Sequence, residues 1–284
     1  PDRKMDTVMS DNPAYIFDTE SILQNRARSK RLGNEFDFLR AEIADRMQDR
    51  LLEINRKFKE PLDIGGDYGR FAGWHAETPT ATISDESLGL KNNRHDIIVS
   101  NLHMHWVNDL PGLLVQANKA LKPDGLFLGS LLGGETLVEL RHALLAAESE
   151  TIGGAHQRVI PFADVRDMGS LLQRAGFALP VADIDTITIT YEHPLKLMQE
   201  LRGMGEANAL LGRPKNFMRR DVLMKACEIY ARDFSNDDGR IRATFQIIYI
   251  TGWHPHESQQ KPLKRGSATM RLEDALKAGK PPKP

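Results

Sequence analysis

The sequence predicts an α/β fold, a doubly wound and mostly parallel sheet with an N-terminal helical arm and a late helical cap. Three observations carry that expectation. An apolar run at 95–102, a helical segment, the turn Lys122-Pro123-Asp124-Gly125 and a second apolar run at 126–132 read as strand, loop, helix, tight turn and parallel strand. Residues 181–191 alternate through Ile184, Thr186, Thr188 and Thr190 against Ile187 and Ile189, which marks a β-strand. Two helical patterns, 194–211 and 219–234, stand between that strand and the last one, 241–251, as an insertion of the kind that caps a ligand cleft.

The remaining elements follow in chain order. Residues 1–33 are polar and turn-rich, with a basic run through Arg26, Arg28, Lys30 and Arg31 that reads as a solvated helix face. Phe36, Leu39, Ile43, Met47, Leu51, Ile54 and Phe58 recur every three or four residues and predict an amphipathic helix of about six turns. Pro61 stops it, and Leu62-Asp63-Ile64-Gly65 reads as a first strand entering a turn. A short helix at 70–75 and a weak second strand at 81–84 follow. Residues 86–94 show no period and few apolar anchors, so a mobile loop is expected. Residues 135–148 read as a helix, as do 165–175, with Gly176 in the left-handed position that ends a helix. Asn236-Asp237-Asp238-Gly239 is a turn. From Lys261 the tail carries seven Lys or Arg against two acids and ends in Lys280-Pro281-Pro282-Lys283-Pro284, a solvated composition. The expected division is an arm and amphipathic helix over 1–60, the main domain over 61–260 with the cap at 194–234, and the tail over 261–284.

Composition excludes several classes. The chain has 284 residues, 40% of them apolar, enough for a sizeable core. A net charge of −1 argues against a general nucleic-acid binder, which needs a basic surface. A single cysteine, Cys227, gives no disulfide framework and no cysteine zinc site, and fits a reducing compartment. No apolar run reaches the roughly 20 residues of a membrane span, and the first residues carry no signal-peptide core. A soluble protein of the bacterial cytoplasm is expected, or of the mitochondrial matrix if the source is eukaryotic.

The run His95-Asp96-Ile97-Ile98-Val99-Ser100-Asn101 together with Lys122-Pro123-Asp124-Gly125 resembles the Rossmann-like class I S-adenosylmethionine-dependent methyltransferases. That family places an Asp-led apolar strand ending in Ser fourth in its sheet, and Lys-Pro-Asp-Gly before the fifth. The resemblance implies S-adenosylmethionine as cofactor. In the family, the turn after the first strand is glycine-rich because backbone passes close to the cofactor's amino-acid moiety. An acidic residue after the second strand accepts hydrogen bonds from the ribose. Here the turn reads Asp63-Ile64-Gly65-Gly66-Asp67-Tyr68-Gly69, with Asp67 in place of the middle glycine. Its charge would face the cofactor's own carboxylate, so the cofactor is expected to be held weakly or to be lost. Thr82 stands at the acidic position, with Asp85 three residues on as a substitute. The short distance from there to Asp96 leaves no room for the family's usual third strand. The cofactor contacts implied by the resemblance are Asp63, Gly65, Gly69, Thr82, Asp85, Ser100, Asn101 and Trp106.

Further segments narrow the branch. Gly133-Gly134-Glu135-Thr136-Leu137, Met204-Gly205-Glu206-Ala207-Asn208, Asp238-Gly239 and Gly252-Trp253-His254-Pro255-His256-Glu257-Ser258-Gln259 resemble the methyltransferase-type assembly factors of respiratory complex I and their alphaproteobacterial relatives. The mitochondrial factor acts as an arginine hydroxylase on a complex I subunit. A more distant likeness is to the malonyl-carrier-protein methyltransferases of biotin synthesis. The resemblance implies a protein substrate or assembly partner bearing an arginine. Two other readings stand: a non-catalytic binding module with a decayed cofactor pocket, and a small-molecule or carrier-protein methyltransferase.

Single residues offer chemistry beside the resemblance. His103 and His105 follow the central strand, where two imidazoles two residues apart share a face and serve as acid–base groups or ligands. No carboxylate stands near to complete a metal set, and no metal is expected. Trp106 reads as a lid. Glu135 and Glu139, four apart, offer bidentate contacts to a guanidinium. His103, His105 and Glu135 are therefore the candidate catalytic residues. Glu135, Glu206 and Glu257 are the carboxylates expected on a partner-facing wall made by the cap and the 252–258 loop. His254, His256 and Glu257 hold a metal-like set, but Pro255 and Ser258-Gln259-Gln260 suit a loop stapled by hydrogen bonds. Asp96 is expected to tether a neighbouring loop, and Cys227 to be buried.

Overall fold

A computed structural model describes residues 15–65, 80–81 and 87–260. The strands are β1 (Pro61–Ile64), β2 (Thr80–Ala81), β3 (His95–Ser100), β4 (Leu121–Leu132), β5 (Ala178–Tyr191) and β6 (Ile241–Trp253). They form one sheet in the order β2-β1-β3-β4-β6-β5. Pairs β1·β2, β1·β3 and β3·β4 are parallel, while β6 runs antiparallel to both β4 and β5. The chain order reverses between β1 and β3. Open α/β sheets bind ligands at the carboxyl ends of the strands beside such a reversal. Among the described residues no strand lies between β2 and β3.

Both faces of the sheet are covered, because successive strand residues point to opposite sides. Ile97, Val99, Leu126, Leu128 and Tyr249 face α2 (Phe38–Leu52), α4 (Val138–Ile152) and α7 (Arg220–Phe234). Ile98, Phe127, Leu131 and Ile250 face α3 (Leu110–Ala120) and α5 (Val165–Arg174). Near-continuous burial of β3 and β4 explains why they read as apolar runs, whereas edge strand β5 alternates. Asp109 starts α3 by accepting from the Gly112 N–H at 2.8 Å, with Pro111 in the first turn. Gly176 (φ +85°) ends α5 and Gly239 (φ +77°) closes the turn before β6, both as expected.

The structure corrects several boundaries. The six-turn helix over 36–58 is a 15-residue α2. Phe36 belongs to a preceding 3₁₀ turn, Gly33–Phe36, and Ile54 and Phe58 lie beyond the helix end. All three still pack on the same core. A loop that folds back along a helix face therefore extends its apparent period. The 1–33 segment contains α1 (Thr19–Leu32), whose N-cap Asp18 accepts from the Ser21 N–H at 3.1 Å. Its basic run is solvated only in part, since Arg26 and Arg28 are half-buried while Lys30 and Arg31 are exposed. The first cap helix, α6 (Pro194–Met204), stops well short of Leu211 because Gly205 adopts φ +84°. Residues 87–94 form no strand, but they are better anchored than expected. Leu88 and Leu90 pack on the core, and the Leu88 N–H donates to Gln116 at 2.8 Å. Asp96 tethers residues 59 and 60, accepting from their N–H groups at 2.6 and 2.9 Å. Cys227 is buried on α7, and burial pushes its thiol pKa up.

Candidate functional site

The turn after β1 sets the first part of the site. Asp63 is fully buried on β1, opposite Val99 of β3. Gly65 adopts φ +126°, a conformation that side chains rarely take, and a Cβ there would lie 3.2 Å from the His103 ring. His103 is thus brought onto the β1 turn from the end of β3. Against its other side lies Arg26 of α1, whose Nη1 contacts Nδ1 and stands 3.5 Å from Nε2.

At the end of β3 the chain turns sharply. Leu102 takes φ +45°, and its N–H is held by the Ser130 hydroxyl at 3.0 Å and carbonyl at 3.1 Å. Ser100 and Asn101 are buried. The Asn101 side chain is committed, donating to the Arg40 carbonyl at 2.9 Å and accepting from the Ser130 hydroxyl at 3.0 Å. Ser100 Oγ has no hydrogen-bond partner among the described residues. The 3₁₀ turn Met104–Trp106 then buries His105 and Trp106.

Those two side chains converge on Glu206, just past the end of α6. His105 Nε2 and the Trp106 indole N–H meet Glu206 Oε2 at 3.0 and 2.8 Å, and Arg40 stands 3.8 Å from Oε1. Burial pushes the Glu206 carboxyl pKa up, but His105, through charge and hydrogen bond, with Arg26 and Arg40, overrides it and holds the group at about 2. His105 Nδ1 is buried with no partner among the described residues.

The arm and the cap segment close over this cluster. The Asp18 N–H donates to the Ala209 carbonyl at 2.7 Å, Leu211 N–H to Ile16 at 2.9 Å, and Asn25 Nδ2 to Ala207 at 3.1 Å. Arg213 binds the Asp18 carboxylate at 2.9 Å. A small core of Phe17, Trp106, Ile160, Ala209 and Leu210 seals the contact, with the Phe17 and Trp106 rings edge-to-face at 5.4 Å. Beneath lies a cavity of about 690 Å³. Its floor is apolar, with Leu102, Leu132, Leu140, Phe162 and Phe245, and its rim is cationic. Of the rim cations, Arg158 and Arg213 pair with Glu148 and Asp18, whereas Arg28 and Arg202 have no carboxylate partner among the described residues. The two lining acids, Asp37 and Glu206, both stand near Arg40.

The expected carboxylate wall is dispersed. Glu135 is exposed and lies in the turn before α4 rather than on the helix. Glu139 does not join it on a partner-facing surface, because it is buried, accepts from the Thr244 N–H and hydroxyl at 3.1 and 2.6 Å, and stands 3.9 Å from the chain's own Arg242. The 252–258 loop is at the opposite end of the sheet from the cleft. Since β6 is antiparallel, Trp253 pairs with Leu126 at the start of β4, and His254 exchanges backbone bonds with residues 124 and 125. There His254 Nδ1 meets Asn118 at 2.8 Å and His256 Nδ1 meets the Ser258 hydroxyl at 2.7 Å, so the loop is stapled as expected. Of the expected cap over 194–234, α6 lines the cavity through Met198, Leu201 and Met204, whereas α7 packs on the sheet face instead. Gly69, Thr82, Asp85 and Asp67 lie outside the described residues.

The described residues fit S-adenosylmethionine at the turn. Gly65 supplies a backbone conformation without a Cβ, Asp63 a buried carboxylate, and Ser100 a buried hydroxyl with no described partner. Asn101 would contribute only backbone, and Trp106 faces the cavity side instead. Arg26 and Arg40 were not singled out as site residues. Their separation from His103 and Glu206 by 77 and 166 positions left no local pattern to find them by.

A parallel sheet with one antiparallel strand, a chain-order reversal between β1 and β3 and a glycine turn after β1 define the class I methyltransferase architecture. The methyltransferase domain model matches residues 36–180, and the chain belongs to that family. Within it, the chain is 39% identical over 272 residues to the arginine-hydroxylase NDUFAF5, mitochondrial, of Danio rerio, covering 87% of this chain and 84% of the relative. The Homo sapiens protein of the same name is 40% identical over 83% of this chain and 75% of its own. The malonyl-[acyl-carrier protein] O-methyltransferase of Laribacter hongkongensis is 33% identical over 70% of this chain and 64% of that protein. Both likenesses extend into the cap, beyond the part matched by the domain model. Among the described residues no helix is long and apolar enough to cross a membrane.

Proposed function

We propose that the chain binds S-adenosylmethionine at the β1/β3 reversal and acts on a side chain of a protein partner, as the name arginine-hydroxylase indicates for its relatives of about 40% identity. The observation that carries this reading is the cavity under the arm and cap, lined from segment 204–208 by Met204, Glu206, Ala207 and Asn208 and from segment 133–137 by Leu137. These are the segments that carry the specific likeness. When bound, the cofactor supplies an electrophilic methyl group on a sulfonium. The chain's own residues position what enters the cavity, where a fixed geometry converts an encounter into an effectively intramolecular step. His105, held by Glu206 through Nε2, keeps Nδ1 as its remaining hydrogen-bonding atom. The linked tie to complex I assembly and the mitochondrial or bacterial intracellular site follow from the resemblance.

Two experiments test this. Calorimetric titration with S-adenosylmethionine should give saturable binding, and its absence would favour the decayed binding module. Mass spectrometry of proteins from cells with and without the chain should then show an arginine peptide gaining one oxygen, drawn from dioxygen with a two-electron reductant of the cell, since neither the chain nor the sulfonium provides an oxidant. A gain of CH₂ on the same peptide would instead make the activity methylation.

A second reading, a carboxylate methyltransferase acting on an acyl carrier, is favoured by one observation. The cavity joins an apolar floor to a rim where Arg28 and Arg202 lack carboxylate partners among the described residues, and its acids already pair with Arg40. A carboxylate-tipped acyl chain suits that lining better than a cation does. Incubation with a malonyl carrier thioester and labelled cofactor should yield a methyl ester if this reading is right.

A further inference from the structure

We propose that Arg26 of the arm is the cation that receives the carboxylate of the cofactor's amino-acid moiety. The inference rests on the cofactor reading above and adds a residue contributed from outside the sheet. Three observations lead to it. The backbone at Gly65 is stripped of a side chain and strained toward φ +126°, and the group that approaches it is His103, 3.2 Å from the missing Cβ. This is the turn where backbone lies close to the amino-acid end of the cofactor. Second, the Arg26 guanidinium rests on the His103 imidazole, in contact with Nδ1 and 3.5 Å from Nε2, so a permanent positive charge stands at that turn. Third, the Asp63 carboxylate is buried on β1 two residues before this turn, so a second carboxylate entering there needs a cation. A guanidinium is the donor best matched to a carboxylate, binding both oxygens through parallel N–H groups.

The position of Arg26 depends on the arm. Helix α1 is fixed to the cap by Asp18–Arg213 at 2.9 Å and by the Asn25–Ala207 bond at 3.1 Å, one residue from Arg26. Arg26 also contributes to holding Glu206 ionised, so one side chain faces both the cofactor turn and the cavity cluster. Cofactor binding and closure of the arm are therefore coupled, each favouring the other.

The test compares two ligands by calorimetric titration of the full chain: S-adenosylmethionine and its decarboxylated analogue, which keeps the sulfonium and the amine. The unaltered chain should bind S-adenosylmethionine more tightly. Arg26→Ala should weaken it about tenfold or more and leave the decarboxylated ligand within about twofold, with Arg26→Lys in between. The decarboxylated ligand serves as the control for folding. If Arg26→Ala weakens both ligands equally, or neither, Arg26 is not the carboxylate's partner. If the unaltered chain binds neither ligand, the cofactor reading itself fails, and this inference with it.

Discussion

The two ends of the sheet carry the same kinds of residue to opposite effect. At the amino end, Asp124 pairs with Arg56 at 3.0 Å and Glu60 with Arg94 at 3.5 Å, and His254 sits in a loop held by Asn118 and Gln259. These ion-pair side chains are a third or more exposed, so water screens them and their contribution is small. At the carboxyl end, Glu206 is 12% exposed and His105 1%, and the charges are joined across distances of 100 residues or more by an arm and a cap. Removing water strengthens each interaction there and makes each broken one costly. A histidine and a glutamate close together in sequence, as at 254–257, are therefore weaker evidence for a site than ones far apart that folding buries together.

The comparison can be broken most directly at Glu206. Glu206→Ala leaves His105 buried without its carboxylate and removes one of the two acids beside Arg40, and should cost about 3–5 kcal/mol. Asp124→Ala at the amino end should cost at most about 1 kcal/mol. Urea unfolding of both variants measures the contrast, and equal losses would show that burial does not separate the two ends.

Acid titration sharpens it. Glu206 and Asp18 are both held at about 2, below ordinary values of 4.5 and 3.8. For Asp18, burial pushes up, and the Ser21 hydrogen bonds with Arg213 more than offset it. Since both folded pKa values are depressed, the stability they contribute is fully present above the ordinary values and drains away as pH falls toward 2. Tryptophan fluorescence, through Trp106, should report the arm and cap loosening in that window, and Glu206→Gln should flatten the change. A transition confined to higher pH would point to other groups.

A third effect concerns the turn. Gly65→Ala places a side chain at φ +126° and against His103, which should cost roughly 1–3 kcal/mol and lower the melting temperature. An unchanged melting temperature would mean that the turn relaxes freely. The smallest effect is expected at the amino end. Glu257→Lys, on an exposed loop away from the cleft, should shift stability by under about half a kcal/mol and leave cofactor binding as it was. A large loss of either would return this loop to the functional surface.

Much of the frame was legible because its signals are local. Continuous apolar runs marked β3 and β4, and alternation marked β5. Gly65 and Ser100 were named from the family resemblance and His103 from its place past the strand, and the structure does bring His103 onto Gly65. Periodicity overran at α2, since apolar residues past a helix end can pack on the same face. It overran at α6 as well, where Gly205 stops the helix.

What the sequence by itself determined is the doubly wound class, the order of its elements and the position of the glycine turn, because hydrophobic period and turn chemistry act over a few residues. Only the tertiary structure decided which charged residues share a site. It placed the 252–258 loop at the far end of the sheet, because the antiparallel course of β6 reverses the end at which it emerges. It turned Glu139 inward onto Thr244, and it gathered Arg26, Arg40 and His105 around Glu206. Such groups meet through long-range contacts, and their energies depend on shared burial, which is a property of the packed chain and has no counterpart in residue spacing.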